Sequence, residues 1–472
     1  MSKEEIKFGT DGWRGIMAED FTFPNFSLVV QAIANYLLKN NKNEAPLIIG
    51  YDNRFFAERF AERAAEVFVA NGLKVLISKE AIPTPATAFM VKHFYASGAV
   101  MLTASHNRYE YNGIKFIPEY AGPASKEITN EIEKELELID SYQQIDIEEA
   151  INKGLASYFS AKALYFKQID GLIDNSSIAS AGMKIVVDSL YGAGNGYIDG
   201  YLQGKADLIC LHNYRDPFFG GDYPDPDEER LQDLIKTVLD NKADLGLALD
   251  GDGDRFGVID SEGVFYTPNQ VFFVLLPYLL EYKKWQGPVY RTIATTHAID
   301  KICEFFSLSC VETPVGFKYI AEGFLNDGAI FGCEESGGMS IFGHIPEKDG
   351  ILAGLLIAEM IAVKGMSLAE LQRESEKKFG KLHQKRLDLQ IKANDKKRIM
   401  SLVESFTGKM FGDFRVEKIN AVDGKKFSLS DDAWFLVRPS GTENVIRVYM
   451  EASSVSALSS LEIEIMKWLE MQ

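Results

Sequence analysis

The chain has 472 residues, of which 46% are hydrophobic and 25% charged, and its formal net charge is −18. This length predicts about three domains, within a range of two to four, and the composition allows substantial cores. The negative charge argues against a nucleic-acid or anionic-membrane partner, because both require a basic face. It also means that an anionic substrate needs a local basic cleft.

The first part of the chain is predicted to alternate strands with helices. Apolar runs predict strands at 6–8, 46–52, 75–77 and 99–102, and helical spacing predicts helices at 26–39 and 57–71. A Glu-rich amphipathic segment at 127–149 predicts a solvated helical region, 158–173 a connecting helix, and the polar stretch 174–182 a linker. The alternation indicates a parallel α/β layer.

The remainder continues this alternation until its character changes after Leu387. Patterns predict strands at 184–188, 243–249 and 289–292, helices at 231–241, 272–285 and 299–306, and a long apolar helix that ends at 363. A polar helix at 395–409, strands at 435–437 and 445–450 and a helix at 455–469 suggest a small α+β C-terminal domain. We therefore expect domains at 1–175, 176–275, 276–386 and 387–472.

Cysteine usage and hydropathy indicate the compartment. The four cysteines form no Cys-x-x-Cys pair and have no histidine at metal-ligand spacing, so we expect free thiols in a reducing cytosol. The longest apolar segment, near 271–277, is too short for a membrane span and contains Pro277. The N-terminus lacks a signal-peptide core. These features predict a cytoplasmic protein.

A polar triplet follows the predicted strand at 99–102. The stretch Thr103-Ala-Ser-His-Asn107 would lie at the carboxyl edge of the sheet, where open α/β sheets bind ligands. Ser105 is therefore a candidate nucleophile, with His106 beside it and Lys115 ten residues further on. Ser and Asn are also ordinary turn residues, so a plain turn is the alternative for this window taken alone.

A second stretch alternates three carboxylates with glycines. Asp250, Asp252 and Asp254 directly follow the predicted strand 243–249, and the glycines allow a turn tight enough to aim all three at one point. Like charges this close repel unless a cation lies between them, and Mg²⁺ prefers oxygen ligands of this kind. A helix–loop–helix calcium site is excluded, because its twelfth position would be Ser261 instead of Glu.

Taken together, the motifs resemble those of the α-D-phosphohexomutases, the family of phosphoglucomutase and phosphomannomutase. The matching segments are 8–15, 103–107, 250–255, 334–337 and 438–443, in the order of the family and across nearly the whole chain. The resemblance implies three structurally similar mixed α/β domains and a smaller α+β C-terminal domain around a central cleft. It also implies sugar phosphates as substrates, Mg²⁺ as the cofactor and glucose 1,6-bisphosphate as the intermediate.

The resemblance implies a role for each matched residue. Ser105 would be the phosphoserine, and the metal ligands would be Asp250, Asp252, Asp254 and the phosphate on Ser105. Around the phosphoryl group it places Arg14, Lys115 and Arg255, and on the sugar hydroxyls Glu334 and Ser336. The distal phosphate would be held by Arg438, Ser440, Gly441, Thr442 and Arg447, a set that also suits an anion by its chemistry. The similarity around 313–318 and 344–348 adds Thr313, Val315, Gly316, Lys318 and Lys348 as substrate contacts.

Some assignments stay open at this point. Either Lys115 or His106 could move the proton of the sugar hydroxyl. The chain departs from the family pattern at Arg108 and Asn444, where proline is frequent, and Arg108 puts the shape of its loop in doubt. Both departures lie at loop positions without the key functional groups, so the chemistry stays intact.

The Glu334-Glu335-Ser336 loop resembles the glucose type, so we expect a phosphoglucomutase. A phosphomannomutase or dual-specificity mutase is the first alternative, and a non-catalytic sugar-phosphate-binding protein the second. The presence of Ser105 and all three aspartates argues against the non-catalytic alternative. A phosphate-releasing hydrolase is a further enzymatic possibility.

Overall fold

The computed structural model describes residues 6–9, 12–439 and 444–469. Within these ranges the chain forms separate β-sheets along its length, each with its own helices. The strands of the first sheet are β1 Trp13–Ile16, β2 Leu47–Tyr51, β3 Val75–Ser78, β4 Gly98–Leu102, β5 Tyr111–Pro118 and β6 Ala156–Phe159. Its helices are α1 Phe23–Lys39, α2 Ala57–Ala70, α3 Thr84–His93, α4 Lys126–Leu138 and α5 Ile147–Asn152, followed by α6 Lys162–Asp170 and α7 Asn175–Ala181.

The second and third sheets follow in chain order. The second contains β7 Lys184–Asp188, β8 Asp207–Leu211, β9 Leu245–Leu249, β10 Phe256–Asp260 and β11 Phe265–Tyr266, with α8 Ile198–Leu202 and α9 Gln232–Asn241. The third contains β12 Val289–Thr292, β13 Cys310–Thr313, β14 Phe331–Cys333 and β15 Met339–Ile341. Its helices are α10 Pro268–Lys283, α11 Ala298–Phe305, α12 Phe317–Glu322, α13 Gly350–Lys364 and α14 Leu368–Phe379.

These three sheets share one pairing pattern. Their strand orders contain β5-β4-β2-β3, β10-β9-β7-β8 and β15-β14-β12-β13. In each, the last three strands are parallel and the first is antiparallel to its neighbour. The three structurally similar α/β domains implied by the resemblance are confirmed, although their sequences show no obvious repeat.

The fourth sheet differs from the others, because all its strand pairs are antiparallel. It has the order β16-β21-β20-β19-β18-β17, and its elements are β16 His383–Gln390, α15 Ala393–Ser405, β17 Met410–Phe411, β18 Phe414–Asn420, β19 Lys425–Leu429, β20 Trp434–Pro439, β21 Val445–Ala452 and α16 Val455–Trp468. Strand β16 pairs with β21 along its whole length. The predicted division at residue 387 therefore falls inside a strand, and the division at 276 falls inside α10.

Helix α13 lies at the centre of the largest core. Apart from Glu359 and its last residue, Lys364, it is apolar on all sides, which is the pattern of a buried helix, and its residues from Gly350 to Ile361 are buried. It packs against α7, α8, α10, β9, β10 and β15, so it joins the second and third sheets. Asp349 begins the helix by accepting a hydrogen bond from the backbone N–H of Leu352.

Some predicted segments differ in the structure. The predicted linker at 174–182 contains helix α7, because Asp174 accepts hydrogen bonds from the N–H groups of Ser176 and Ser177 and Ile178 is fully buried. The predicted strand at 6–8 is not a strand, and the edge position beside β5 is taken by β1 instead.

Among the described residues, no single helix is both long enough and apolar enough to cross a membrane. The pair α13 and α14 passes the same test of length and composition jointly, but the two helices are bent by 82° at their junction. The cysteines Cys210, Cys303, Cys310 and Cys333 are free thiols, as predicted.

Candidate active site

The candidate site is built from loops that occupy the same position in three sheets. Each loop connects the last parallel strand to the antiparallel strand beside it, at β4–β5, β9–β10 and β14–β15. The first loop carries Ser105, the second 250–255 and the third 334–338. The carboxyl ends of parallel strands are where such sheets bind ligands, so the repeated topology brings three sets of functional groups to one cleft.

The Ser105 hydroxyl is buried and points at the acidic loop. Its Oγ donates a hydrogen bond to Asp250 Oδ2 at 3.0 Å and lies 3.4 Å from His106 Nδ1. Ser105 has φ +50°, a left-handed conformation that non-glycine residues adopt rarely. Its backbone N–H donates to Thr103 Oγ1 at 2.8 Å, which helps to hold this conformation.

Asp250, Asp252 and Asp254 form a compact buried triad. All three side chains are fully buried, and one oxygen from each lies within 4.8 Å of the others. Asp252 Oδ1 and Asp254 Oδ1 have no hydrogen-bond partner in the described part of the chain. Buried carboxylate oxygens without partners are costly, and hard divalent cations bind such oxygens. The residues present therefore fit a metal ion.

The electrostatic environment differs within the triad. Burial, reinforced by the charges of Asp252 and Asp254, raises the pKa of Asp250 well above its usual range. Burial acts in the same direction on Asp254, but Lys115, Lys348 and Arg255 outweigh it and lower the pKa of that carboxyl. The positive side chains therefore keep the Asp254 carboxylate ionised.

Two α/β domains supply groups that hold the acidic loop. Lys115 Nζ on β5 lies 2.9 Å from Asp252 Oδ2 and 3.1 Å from Asp254 Oδ2. Thr84 Oγ1, at the start of α3, donates to Asp252 Oδ2 at 2.6 Å. In the third domain, Lys348 lies between β15 and α13, and its Nζ is 2.8 Å from Asp254 Oδ2. The acidic loop is thus enclosed between the first and third α/β domains.

Further positive groups surround the serine. The backbone N–H of Arg255 donates to Asp250 Oδ1 at 3.0 Å, and its Nε lies 3.9 Å from Asp254 Oδ1. Arg14 Nη1 donates to Asn107 Oδ1 at 2.5 Å. Burial, together with the charges of Arg255 and Arg14, holds the pKa of His106 well below its usual value. His106 is therefore neutral beside the Ser105 hydroxyl.

The two glutamates of the third loop have different partners. Glu334 Oε1 accepts a hydrogen bond from the backbone N–H of Gly316 at 3.0 Å, and burial raises the pKa of Glu334 to about 7 despite the nearby charge of Lys348. Glu335 instead accepts hydrogen bonds at 3.2 Å from the hydroxyls of Thr292 and Tyr449. Glu335 therefore links the third and fourth sheets.

Of the other residues predicted to bind the sugar, Val315 contacts the fourth domain, and Thr313 and Lys318 contact residues next to them in the chain. Thr313 Oγ1 donates to the backbone oxygen of Pro314 at 3.0 Å, and the N–H of Val315 donates to Asp423 Oδ2 at 3.0 Å. Lys318 Nζ lies 5.4 Å from the centroid of the Tyr319 ring. Ser336 lines a cleft of about 830 Å³ together with residues of the second, third and fourth sheets.

The predicted phosphate loop is described only in part. Arg438 Nε donates to both carboxylate oxygens of Asp423, each at 2.9 Å, and Arg447 Nε lies 3.8 Å from Asp388 Oδ1. The other members of this set, Ser440, Gly441 and Thr442, lie outside the described residues.

Two polar residues at the site were missed by the sequence analysis. Thr84 binds the acidic loop, and Arg54 binds the serine loop through its fully buried guanidinium. Arg54 lies in the polar turn after the predicted strand 46–52, but no local pattern indicates its distant partners. The available signal was only the position of that turn at the carboxyl edge of the sheet.

A held serine hydroxyl beside a buried acidic triad and several positive side chains is an arrangement suited to phosphoryl transfer. Family models for the phosphoglucomutase/phosphomannomutase α/β/α domains I, II and III match residues 5–143, 163–263 and 267–379, and the model for the C-terminal domain matches 390–467. The chain therefore belongs to the α-D-phosphohexomutase family, whose members are intramolecular phosphotransferases of the isomerase class.

Individual relatives span almost the whole chain but differ in their names. A "phosphoglucomutase/phosphomannomutase" of Thermococcus kodakarensis is 31% identical and covers 95% of this chain and 94% of its own. A "probable phosphoglucosamine mutase" of Methanobrevibacter smithii is 31% identical, with 96% of both chains covered. The crystal structure of a "putative phosphomannomutase" from Thermus thermophilus has a TM-score of 0.86 at 30% identity, with 98% of this chain and 99% of that chain covered.

Proposed function

We propose that this phosphohexomutase interconverts glucose 1-phosphate and glucose 6-phosphate through a phosphoserine at Ser105 and a glucose 1,6-bisphosphate intermediate. The observation that carries the proposal is the hydrogen bond from Ser105 Oγ to Asp250 inside the buried triad. It places a nucleophilic hydroxyl beside a cluster of carboxylates that can hold a cation, and a cation offsets the negative charge of a transferring phosphoryl group.

Several residues then have defined tasks. Arg14 and Arg255 would place positive charge beside the phosphoryl group on Ser105. Neutral His106 can accept a proton, whereas Lys115 as an ammonium can donate one. Both are close enough to the Ser105 loop and the triad to serve the sugar hydroxyl, so both remain proposed acid–base groups.

Mg²⁺ is the proposed cofactor, held by Asp250, Asp252, Asp254 and a phosphate oxygen on Ser105. The partnerless oxygens of Asp252 and Asp254 support this assignment. When bound, the ion withdraws charge from the transferring phosphoryl group.

The sugar and its second phosphate are proposed to bind across the cleft. Glu334, Ser336 and Lys348 would contact the sugar, along with the segment from Thr313 to Lys318. The distal phosphate would bind Arg438, Ser440, Gly441, Thr442 and Arg447. Free cysteines support the further proposal that the enzyme works in a reducing compartment such as the cytoplasm.

Glucose is proposed because of the Glu-Glu-Ser loop, in which Glu334 is the carboxylate left to accept sugar hydroxyls once Glu335 is engaged with Thr292 and Tyr449. A site that hydrogen-bonds a hydroxyl discriminates strongly against an epimer that misplaces it. Glucosamine phosphate is a second candidate, because a relative that covers nearly the whole chain carries the name phosphoglucosamine mutase.

The decisive experiment joins Ser105→Ala with a substrate comparison. We expect intact mass to show one added phosphate after incubation of the wild type with glucose 1,6-bisphosphate, and none in Ser105→Ala, which should also lose turnover. Assays with the 1-phosphates of glucose, mannose and glucosamine should give the highest kcat/KM for glucose. Near-normal turnover by Ser105→Ala would refute the mechanism, and a higher kcat/KM for another sugar would refute the substrate.

A further inference from the structure

Arg54 makes an unusually complete set of hydrogen bonds to the serine loop. Its Nη2 donates to the backbone oxygens of Ser105 and Asn107, both at 2.6 Å. Its Nη1 donates to the backbone oxygens of Arg108 and Tyr111 at 2.8 and 2.9 Å. The four carbonyl groups belong to one turn, and the guanidinium that binds them is fully buried.

The fifth N–H of the same guanidinium fixes its orientation. Arg54 Nε donates to Asp52 Oδ2 at 3.1 Å, and the backbone N–H of Arg54 donates to Asp52 Oδ1 at 2.9 Å. Asp52 is itself fully buried at the end of β2. The planar fork thus uses all five donors, four of them on the loop, which a lysine ammonium with three donors cannot reproduce.

The loop needs such support because Ser105 is held in the left-handed region. A non-glycine residue in that region is strained and persists only where its surroundings determine it. The carbonyl of Ser105 is also confined from the other side, since a Cβ added at Gly251 would lie 2.7 Å from that oxygen. Arg54 and the acidic loop therefore enclose the serine backbone between them.

We propose that Arg54 is a positioning residue, which holds the 105–111 turn in the conformation that aims the Ser105 hydroxyl at Asp250. It acts through the backbone of the turn, and its donors are used within the protein. The inference rests on the proposed role of Ser105 as the group that carries phosphate.

Arg54→Lys is the test, because it keeps the charge and removes the fork. A displacement of the nucleophile by about 1 Å lowers the rate roughly 100-fold, so we expect kcat to fall by about that factor. KM for both sugar phosphates should change less than about twofold, since the proposed sugar and distal phosphate contacts lie on other domains. Phosphorylation of Ser105 by glucose 1,6-bisphosphate, followed by intact mass, should slow in parallel with kcat.

Arg291→Lys is the matched control for shortening a buried arginine. Arg291 is 3% exposed, and its guanidinium is paired with Asp300 and Glu312 away from the serine turn. We expect it to lower the thermal midpoint to a similar extent while leaving the rate of Ser105 phosphorylation unchanged. If Arg54→Lys kept a kcat within a few-fold of wild type, or slowed phosphorylation no more than Arg291→Lys, the inference would be overturned.

Two further variants keep the test decisive. If Arg54→Lys does not fold, Asp52→Asn takes its place, because it weakens the contact that orients the guanidinium. This variant should lower kcat about 10-fold with KM unchanged. An unchanged kcat would overturn the inference. Ser105→Ala separates the two proposals. Its retained activity would refute the role of Ser105 itself, whereas an inactive Ser105→Ala beside a fully active Arg54→Lys would refute only the role of Arg54.

Discussion

At the scale of single residues, the triad concentrates negative charge where water is excluded. Removing one carboxylate should weaken metal binding, because the ion loses a ligand and part of its charge compensation. We expect Asp252→Asn to require a higher Mg²⁺ concentration for half-maximal activity, and chelator treatment to abolish wild-type turnover until Mg²⁺ is restored. Titration calorimetry and activity measured against Mg²⁺ concentration would check both. Full activity after chelation would contradict the assignment.

Glu334 should give the enzyme a recognisable pH dependence. Burial raises its pKa to about 7, so the carboxylate proposed to accept sugar hydroxyls forms only as the pH rises through that value. The ratio of kcat/KM for wild type to that for Glu334→Gln should increase between roughly pH 6 and pH 8, and level off above that interval. Taking the ratio cancels the titration of the substrate phosphate. A ratio that is constant over this interval would show that Glu334 does not act as an ionised acceptor.

Site residues that lie within a short sequence motif could be predicted from the sequence. Site residues whose partners are distant in the sequence could not. Ser105 and the three aspartates were identified because each group follows a recognisable strand and lies within a few residues. Thr84 and Arg54 have partners far along the chain, so no local spacing indicates them. The hydrogen bond from the Tyr449 hydroxyl to Glu335 likewise could not be predicted, because the two residues belong to different domains.

At the scale of elements, N-cap residues determine where helices begin in segments whose hydrophobic periodicity does not define the helix boundaries. The segment 127–149 was predicted as one helical region, but the structure has α4 and α5, each begun by its own N-cap, Ser125 and Asp146. Helix α7 begins at Asp174 in a stretch whose serines predicted a linker. Short polar helices of this kind are stabilised by caps and packing more than by composition, which explains why the long apolar α13 was predicted and α7 was not.

Helix α13 carries one buried charge whose loss should destabilise the core. Glu359 is fully buried and accepts hydrogen bonds from the Tyr278 hydroxyl at 2.7 Å and the Asp174 N–H at 2.5 Å, with Lys283 Nζ at 3.1 Å. Glu359→Ala removes the acceptor of the Tyr278 hydroxyl and of the Asp174 N–H. It also removes the counter-charge of Lys283, which keeps a hydrogen bond to the backbone oxygen of Leu172 at 3.0 Å. We therefore expect a loss of about 3 kcal/mol.

Urea unfolding followed by circular dichroism would measure this loss. Glu374→Ala, at an exposed position of α14, is the matched control and should change the unfolding free energy by less than about 0.5 kcal/mol. Equal effects of the two substitutions would show that the buried network contributes nothing specific.

At the scale of the whole molecule, hydrogen bonds at the edge of the cleft join the third domain to the fourth sheet. Glu451 accepts hydrogen bonds from Thr296 and His297 on one side and from Trp434 and Gln384 on the other. Arg438, in turn, is paired with Asp423 at the same boundary. A mutase must bind both phosphates of its intermediate in exchange, and the distal phosphate site proposed on the fourth domain would have to bind firmly but reversibly.

Arg438→Ala should therefore weaken binding without preventing phosphorylation of Ser105. Loss of a charge-assisted contact of about 2 kcal/mol corresponds to a roughly 30-fold higher KM for both the 1- and the 6-phosphate, and more bisphosphate should escape before the second transfer. Steady-state kinetics in both directions and assay of released bisphosphate would measure this. Arg415→Ala, an exposed arginine of the same domain paired with Glu417, is the control and should change none of these values.

The contacts that enclose the acidic loop also limit which domains can be exchanged between this protein and a relative. Thr84 and Lys115 reach Asp252 from the first domain, and Lys348 reaches Asp254 from the third. A chimaera that exchanges the first domain for that of a relative would leave Asp252 without its two partners unless the incoming segment supplies equivalent hydroxyl and ammonium groups. The domains are thus similar in fold but depend on one another for charge compensation. We expect a domain exchange to preserve function only when the acidic loop and the residues that contact it come from the same parent protein.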